Sequence, residues 1–180
     1  EMPGQHYFFA IQLPGELQKS LVQWRAENFP ADTGRPVPAA AMMMTLAWLG
    51  EISDSTCQRL QQQASRIQQP EFLLTLNDAG HWPGSGSVWL GCRPAPSGVL
   101  KLGGLLRSQA ARQGCSQPDR DYYPHVRILH HAFCRVSVPP AGFRWQFLVS
   151  RFSLMSVGSS GGRNTPRCVA TFPLQTTLQP

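Results

Sequence analysis

The sequence has little charge, hardly any lysine and no long apolar run. Only 14% of the 180 residues are charged, and lysine occurs only at Lys19 and Lys101. A chain that is 42% hydrophobic with so little charge excludes an intrinsically disordered protein and is typical of a globular one. No segment approaches the roughly 18 consecutive apolar residues of a transmembrane helix, so we expect no membrane partner.

The sequence also lacks paired cysteines. The five cysteines are Cys57, Cys92, Cys115, Cys134 and Cys168. They are scattered and odd in number, and no Cys-x-x-Cys pair occurs, which argues against a zinc site and against a disulfide framework. We therefore expect reduced thiols in a cytoplasmic protein that holds no metal and no cofactor. The opening EMPGQHYFFA has no basic, apolar leader pattern, so we expect no signal peptide.

The charge that is present is mostly arginine. Lysine and arginine total 16 against 10 acidic residues, which gives a net charge of +6. A basic surplus favours polyanionic partners, and guanidinium groups bind two phosphate oxygens at once. This composition favours a phosphate-bearing partner, such as a nucleic acid or a nucleotide.

The apolar pattern predicts alternating strands and helices in a single domain over 1–180, which we expect to be monomeric. We predict strands over 6–14, 41–50, 71–80, 87–94, 122–129, 143–157 (one long strand or a strand pair) and 167–174. We predict helices between Pro14 and Pro30, from a Ser53 N-cap to about Gln68, and over 97–114. Gly/Ser-rich residues 158–164 read as a flexible loop.

Each half of the chain has a strand that follows a helix or a turn-rich stretch, MMMTLAWL in the first half and HVRILHHA in the second. This layout predicts an α+β fold of two pseudo-symmetric lobes with a cleft between them. We expect each lobe to be a mainly antiparallel sheet with its helices outside.

The methionine run at 42–44 has two sides. Because side chains alternate along a strand, Met42 and Met44 share one face and Met43 shares the other with Thr45. Methionine fills irregular gaps in cores, so we expect Met42 and Met44 to be packed and Met43 to face the cleft.

Several motifs together resemble one family. They are FFAIQLP, RPVP, TLAWLGEI, LLRSQAARQGC, YPHV and PPAGFRW, and they span about residues 7 to 150. On these motifs the chain resembles the 2H phosphoesterase superfamily, in particular the bacterial RNA 2',3'-cyclic phosphodiesterases, also called 2'-5' RNA ligases. The resemblance implies a metal-independent enzyme that opens 2',3'-cyclic phosphate ends of RNA to 2'-phosphates, and that can also join RNA ends.

The family signature is two copies of His-x-Thr on facing strands. The resemblance implies that His125 is the general base and that Thr45 holds a phosphate oxygen. Where relatives have the proton-donating histidine, this chain has Met43, and where they have the second threonine it has Arg127. Relatives often carry an arginine at the place of His130. Arg127 and His130 are the expected substrate-binding residues.

These departures predict an impaired enzyme. A thioether cannot donate a proton, and loss of a positioned general acid lowers the rate by about 10²–10⁴-fold. His131 lies too far along the strand from His125 to replace the donor, and strict alternation would put His130 on the opposite face. Arg127 would either hold phosphate or fill the cleft, and its charge would make protonation of His125 harder.

Two other functions remain open at this point. The basic cleft could bind RNA ends or nucleotides without hydrolysis, or the altered site could act on another small molecule, with Lys101 as a nucleophile. We expect Lys101 to be solvated rather than catalytic. Trp82 and Trp89 could stack on bases, although buried aromatic residues are the default expectation.

Overall fold

The computed structural model describes residues 4–119, 121–139, 142–158 and 165–177, in which three helices and ten strands form. The helices are α1 (Gly15–Asn28), α2 (Asp54–Ser65) and α3 (Ser97–Arg112). The strands are β1 (Gln5–Gln12), β2 (Arg35–Pro36), β3 (Met43–Gly50), β4 (Phe72–Leu76), β5 (Asp78–Trp82), β6 (Ser87–Gly91), β7 (His125–His130), β8 (Trp145–Val149), β9 (Arg151–Gly158) and β10 (Arg167–Pro173). Of the predicted loop over 158–164, Gly158 ends β9, and residues 159–164 lie outside the described residues.

Most strands form one antiparallel sheet with two halves. Its order is β10-β9-β1-β3-β7-β6-β5, and β2 also pairs with β7. The halves meet between β3 and β7, where the paired residues are Met44 and Val126. In each half a helix links two neighbouring antiparallel strands, α1 between β1 and β3 and α3 between β6 and β7. The predicted α+β fold of two lobes, with helices outside, is confirmed.

The helices cover one face of this sheet. Leu21 of α1, Leu60 of α2 and Leu102 of α3 are fully buried in the same apolar core as Met42 and Met44. Met43 belongs instead to a small separate cluster with three other residues, which are Phe8, Ala10 and Met155. The expected division of the three methionines between two faces is therefore confirmed.

The predicted strand over 71–80 is in fact two strands in different sheets. β4 pairs with β8 in a separate two-stranded sheet, whereas β5 pairs with β6 in the main sheet. Asn77 stands between them and explains the break. Its side-chain amide donates to the Arg93 carbonyl and its Oδ1 accepts from the Arg93 N–H, both at 2.8 Å.

Side-chain hydrogen bonds position two of the helices. The Ser53 hydroxyl accepts a hydrogen bond from the Thr56 N–H at 3.2 Å, which confirms the predicted N-cap of α2. Arg25 of α1 donates to the carbonyls of Val37 and Ile128 at 2.7 and 3.0 Å, so the first half is tied directly to β7 of the second. Burial lowers the pKa of Arg25.

Across the described residues, no helix is long and apolar enough to cross a bilayer.

Candidate active site

The junction of the two halves brings the residues of the two motifs together. Met44 pairs with Val126 in antiparallel register. One residue to either side, Thr45 therefore lies across from His125, and Met43 lies across from Arg127. Side chains one residue from the pair point to the face that the helices leave uncovered. Of the predicted site residues, Met43, Thr45, His125 and Arg127 thus form one group.

His125 is oriented by its own strand. Its Nδ1 lies 2.7 Å from the Tyr123 carbonyl oxygen. A carbonyl only accepts, so Nδ1 carries the proton, and in the neutral ring Nε2 carries the lone pair. This tautomer leaves Nε2 as the nitrogen able to take a proton from a nucleophile.

Thr45 is positioned through its backbone. The hydroxyl of Tyr122 donates to the Thr45 carbonyl at 2.7 Å, and burial raises the pKa of Tyr122. A Cβ on Gly103 of α3 would come within 2.9 Å of the Tyr122 ring, so a glycine inside this helix permits the close packing. Sequence reasoning did not find Tyr122, because its partner is 77 residues away.

Met43 fills the base of the cleft beside Thr45. Its side chain is 8% exposed and packs with Phe8, Ala10 and Met155. Because sulfur in a thioether carries no hydrogen, this position contains no proton donor. The expected position of Met43 on the face of Thr45 agrees with the register of the junction, which also sets Met43 across from Arg127.

Arg127 and His130 lie side by side, which strict alternation along β7 did not predict. The register of β6 and β7 shifts between Val88 and Trp89, and both Ile128 and Leu129 are buried in the core. This bulge turns His130 towards Arg127, and Arg127 Nη1 donates to His130 Nδ1 over 3.4 Å. The expectation that His130 points away is therefore wrong.

Arg127 supplies the positive charge of the Arg127–His130 pair. Arg127 is exposed overall, yet desolvation of its guanidinium lowers its pKa, and an arginine remains charged at neutral pH. The pKa of His130 is lowered by burial first, and then by the charges of Arg127, His131 and Arg35. These groups give the cleft an electrostatic preference for anions.

Three aromatic residues, Trp82, Trp89 and Tyr123, surround His125 and are called the Trp82 cluster here. The ring of Trp82 lies 4.7 Å from the His125 ring in an edge-on contact, and Trp82 and Trp89 are 4.9 Å apart. Trp89 is buried as expected, but Trp82 is 38% exposed, so the default expectation is wrong for that residue.

The Trp82 cluster is held by a glycine and by an acidic group. A Cβ on Gly80 would collide with the Trp89 indole, so only glycine admits that ring. The Tyr123 hydroxyl donates to Asp78 Oδ2 at 3.0 Å, and Arg93 forms an ion pair with the same oxygen at 3.3 Å. Burial and this carboxylate raise the pKa of Tyr123 to about 12.

Lys101 lies outside the site. Lys101 is exposed on α3, away from the uncovered sheet face, as expected for a solvated lysine. Among the described residues, no group of three or more His, Cys, Asp or Glu side chains could hold a metal ion.

Comparison with known proteins identifies the family. No protein-family model matches the chain. A protein of Escherichia coli (strain K12) named RNA 2',3'-cyclic phosphodiesterase is 46% identical over 159 residues, which are 88% of this chain and 90% of that protein. The chain belongs to the RNA 2',3'-cyclic phosphodiesterase family. The resemblance noted in the motifs is thereby confirmed.

Another relative and two solved structures support this family assignment. A protein of the same name from Thermus thermophilus is 27% identical over 82% of this chain and 79% of its own length. The crystal structure of E. coli LigT complexed with 3'-AMP has a TM-score of 0.90 and 44% identity, covering 94% of this chain and 98% of that one. A structure of a phosphoesterase has a TM-score of 0.91 and 44% identity, covering 95% and 98%.

Proposed function

We propose that this protein binds RNA ends that carry a 2',3'-cyclic phosphate and opens them to 2'-phosphates, at a rate limited by the residue at position 43. The family membership supports the substrate class. The observation that carries the assignment of residues is the Met44–Val126 pair, because it sets Thr45 across from His125 and Met43 across from Arg127.

In the proposed reaction, the Nε2 atom of His125 removes a proton from a water molecule. The resulting oxygen nucleophile attacks phosphorus, the bond from phosphorus to the 3' oxygen breaks, and the phosphate stays on the 2' oxygen. The Thr45 hydroxyl donates to a non-bridging phosphate oxygen, and Arg127 and His130 stabilise the negative charge. All of these groups come from one chain, so the proposed reaction requires no partner subunit.

The departing 3' oxygen must take up a proton, and this step limits the proposed reaction. Met43 stands where the family resemblance implies the proton donor, and a thioether has no proton to give. Solvent water must then supply the proton, which is less effective than a positioned acid. The positive charge of Arg127 offsets negative charge on the reacting phosphate. Arg127 does not protonate the leaving group, because the pKa of an arginine lies far above neutrality.

The experiment uses a dinucleotide that ends in a 2',3'-cyclic phosphate, with the product identified by chromatography against 2'- and 3'-phosphate standards. We expect slow formation of the 2'-phosphate by the parent protein. His125→Ala should remove most of the remaining rate, since general acid–base catalysis contributes about 10²–10⁴-fold. His131→Asn is the matched control, because His131 is exposed and has a positive φ of 54° that asparagine tolerates.

Three results would contradict the proposal. One is formation of the 3'-phosphate as the main product. Another is a rate that His125→Ala leaves unchanged. The third is tight binding with no hydrolysis even after a histidine is placed at position 43, which would identify a protein that binds RNA ends without opening them.

A further inference from the structure

A second exposed tryptophan lies on the first half of the sheet. Trp48, near the end of β3, is 46% exposed. Its indole stacks on the Phe8 ring at 5.5 Å with an interplanar angle of 17°, and on the His6 ring at 5.7 Å with an angle of 24°. We call His6, Phe8 and Trp48 the Trp48 stack.

The Trp48 stack lies on the cleft face. Between the pairs Phe9–Ala47 and Ala10–Thr45 the register shifts, and Leu46 and Ala47 both enter the main core. This bulge returns Trp48 to the face of Thr45 and Met43. Phe8, on which Trp48 stacks, belongs to the same small cluster as Met43. The stack is thus continuous with the base of the proposed active site.

The two aromatic groups flank the reacting position from opposite halves of the molecule. The Trp82 cluster contacts His125 from β5 and β6, and the Trp48 stack lies beyond Thr45 on β1 and β3. Trp48 is three residues from Thr45, roughly 10 Å at about 3.3 Å per residue. A base next to a phosphate held by Thr45 can span such a distance.

The chemistry of the Trp48 stack suits a nucleobase. An indole that is fixed by two other rings, and still nearly half exposed, offers a pre-oriented π surface to a flat ligand. Stacking of bases on such rings is tolerant of sequence, which suits a protein that reads the chemistry of an RNA end. In the proposed function the phosphate is held by Thr45, Arg127 and His130.

We propose that Trp48 forms a second nucleobase subsite, so that the cleft recognises at least the last two nucleotides of an RNA. The terminal base contacts the Trp82 cluster, and the base of the preceding nucleotide stacks on Trp48. This inference rests on the proposed function, because it takes the phosphate position from Thr45 and His125.

The test measures binding of stable product-like ligands by titration calorimetry at one fixed salt concentration. The ligands are a diadenylate that ends in a 2'-phosphate, the same molecule without its penultimate base, and adenosine 2'-monophosphate. The proteins are the parent, Trp48→Ala, Trp48→Phe and, as a matched control, Leu100→Ala. Leu100 is an exposed apolar residue of α3, 42% exposed, outside the cleft face.

We expect the penultimate base to tighten binding to the parent by about 5- to 150-fold, the range for stacking of one base on an aromatic side chain. Trp48→Ala should remove this gain, Trp48→Phe should keep most of it, and Leu100→Ala should keep all of it. The ratio of the two affinities is the readout, because a general loss of structure would weaken both ligands alike.

Equal binding of the two dinucleotides to the parent would overturn the Trp48 subsite and leave the proposed function standing. The same conclusion follows if Trp48→Ala weakens the mononucleotide as much as the dinucleotide. Failure of all three ligands to bind would overturn both the subsite and the proposed function.

Discussion

Replacing Met43 by histidine should restore a proton donor to the cleft and speed hydrolysis of the cyclic phosphate. Met43 lies across from Arg127 and beside Thr45, and its side chain reaches the cleft with only 8% of its surface exposed. A positioned general acid contributes about 10²–10⁴-fold, which corresponds to about 2.7–5.5 kcal/mol of activation free energy. That range is the maximum gain expected from the new imidazole.

Arg127 should limit this gain in the single variant. Position 43 lies across from Arg127 on the neighbouring strand, so the guanidinium charge disfavours a protonated imidazole there. This lowers the pKa of the new histidine and so reduces its protonated fraction at neutral pH. Met43→His combined with Arg127→Thr should therefore gain more than the sum of the two single changes.

The assay is the rate of 2'-phosphate formation from a cyclic-phosphate dinucleotide between about pH 5.5 and 7.5. The advantage of the double variant over Met43→His should narrow as the pH falls, because acid protonates the imidazole beside Arg127. Met155→His is the matched control: Met155 is in the same cluster as Met43 but on β9, away from the junction.

Folding must be checked for each variant, since a polar ring in this cluster should destabilise the protein by about 1–3 kcal/mol. The reasoning is refuted if the double variant is folded, binds the product and is no faster than the parent. It is also refuted if Met155→His accelerates hydrolysis as much as Met43→His.

Three further changes test other contacts. Tyr122→Phe removes the hydroxyl that donates to the Thr45 carbonyl. This variant should lower the free energy of unfolding, measured by urea titration, by about 1–2 kcal/mol. An unchanged free energy of unfolding would mean that the 2.7 Å contact is not stabilising. Arg25→Met leaves the Val37 carbonyl without its charged donor. The same titration should show a free energy of unfolding lower by about 1–3 kcal/mol. A variant as stable as the parent would contradict the role of Arg25 in joining the two halves. Burial and nearby Arg127, His131 and Arg35 lower the pKa of His130, so an anion that favours its charged form should bind with uptake of a proton. Inhibition by sulfate should accordingly strengthen as the pH falls through the lowered pKa of His130, and His130→Gln should lose part of that increase.

Local patterns predicted the element order and the position of the motifs. Helix caps, the alternation of side chains along strands and the prolines that bound helices all depend on residues within a few positions of each other. The N-cap contact of Ser53 with Thr56 is an example. The assignment of Met43 to the face opposite Met42 and Met44 followed from the period of a strand alone. The single domain, the monomeric state and the cytoplasmic location stay predictions.

Two errors arose where a strand departs from its regular period. Residues 71–80 form two strands because Asn77 pairs with the backbone of Arg93, a partner 16 residues away. His130 lies beside Arg127 because a bulge adds a residue to β7 opposite β6. Neither the strand break at Asn77 nor the bulge in β7 is marked by a glycine or proline at that point. The predicted strands therefore continued the alternating pattern past both positions.

The sequence by itself determined the family and the α+β class, because motif identity is local chemistry. That Met43 and Arg127 stand where relatives have the donor and the second threonine stays a prediction from the motifs. Only the tertiary structure decided how those residues are oriented and what surrounds them. The tautomer of His125, the contact of Tyr122 with Thr45, and the exposure of Trp48 and Trp82 all depend on neighbouring strands and loops. Contacts between residues far apart in the chain arise when the sheet assembles, and no local pattern specifies them.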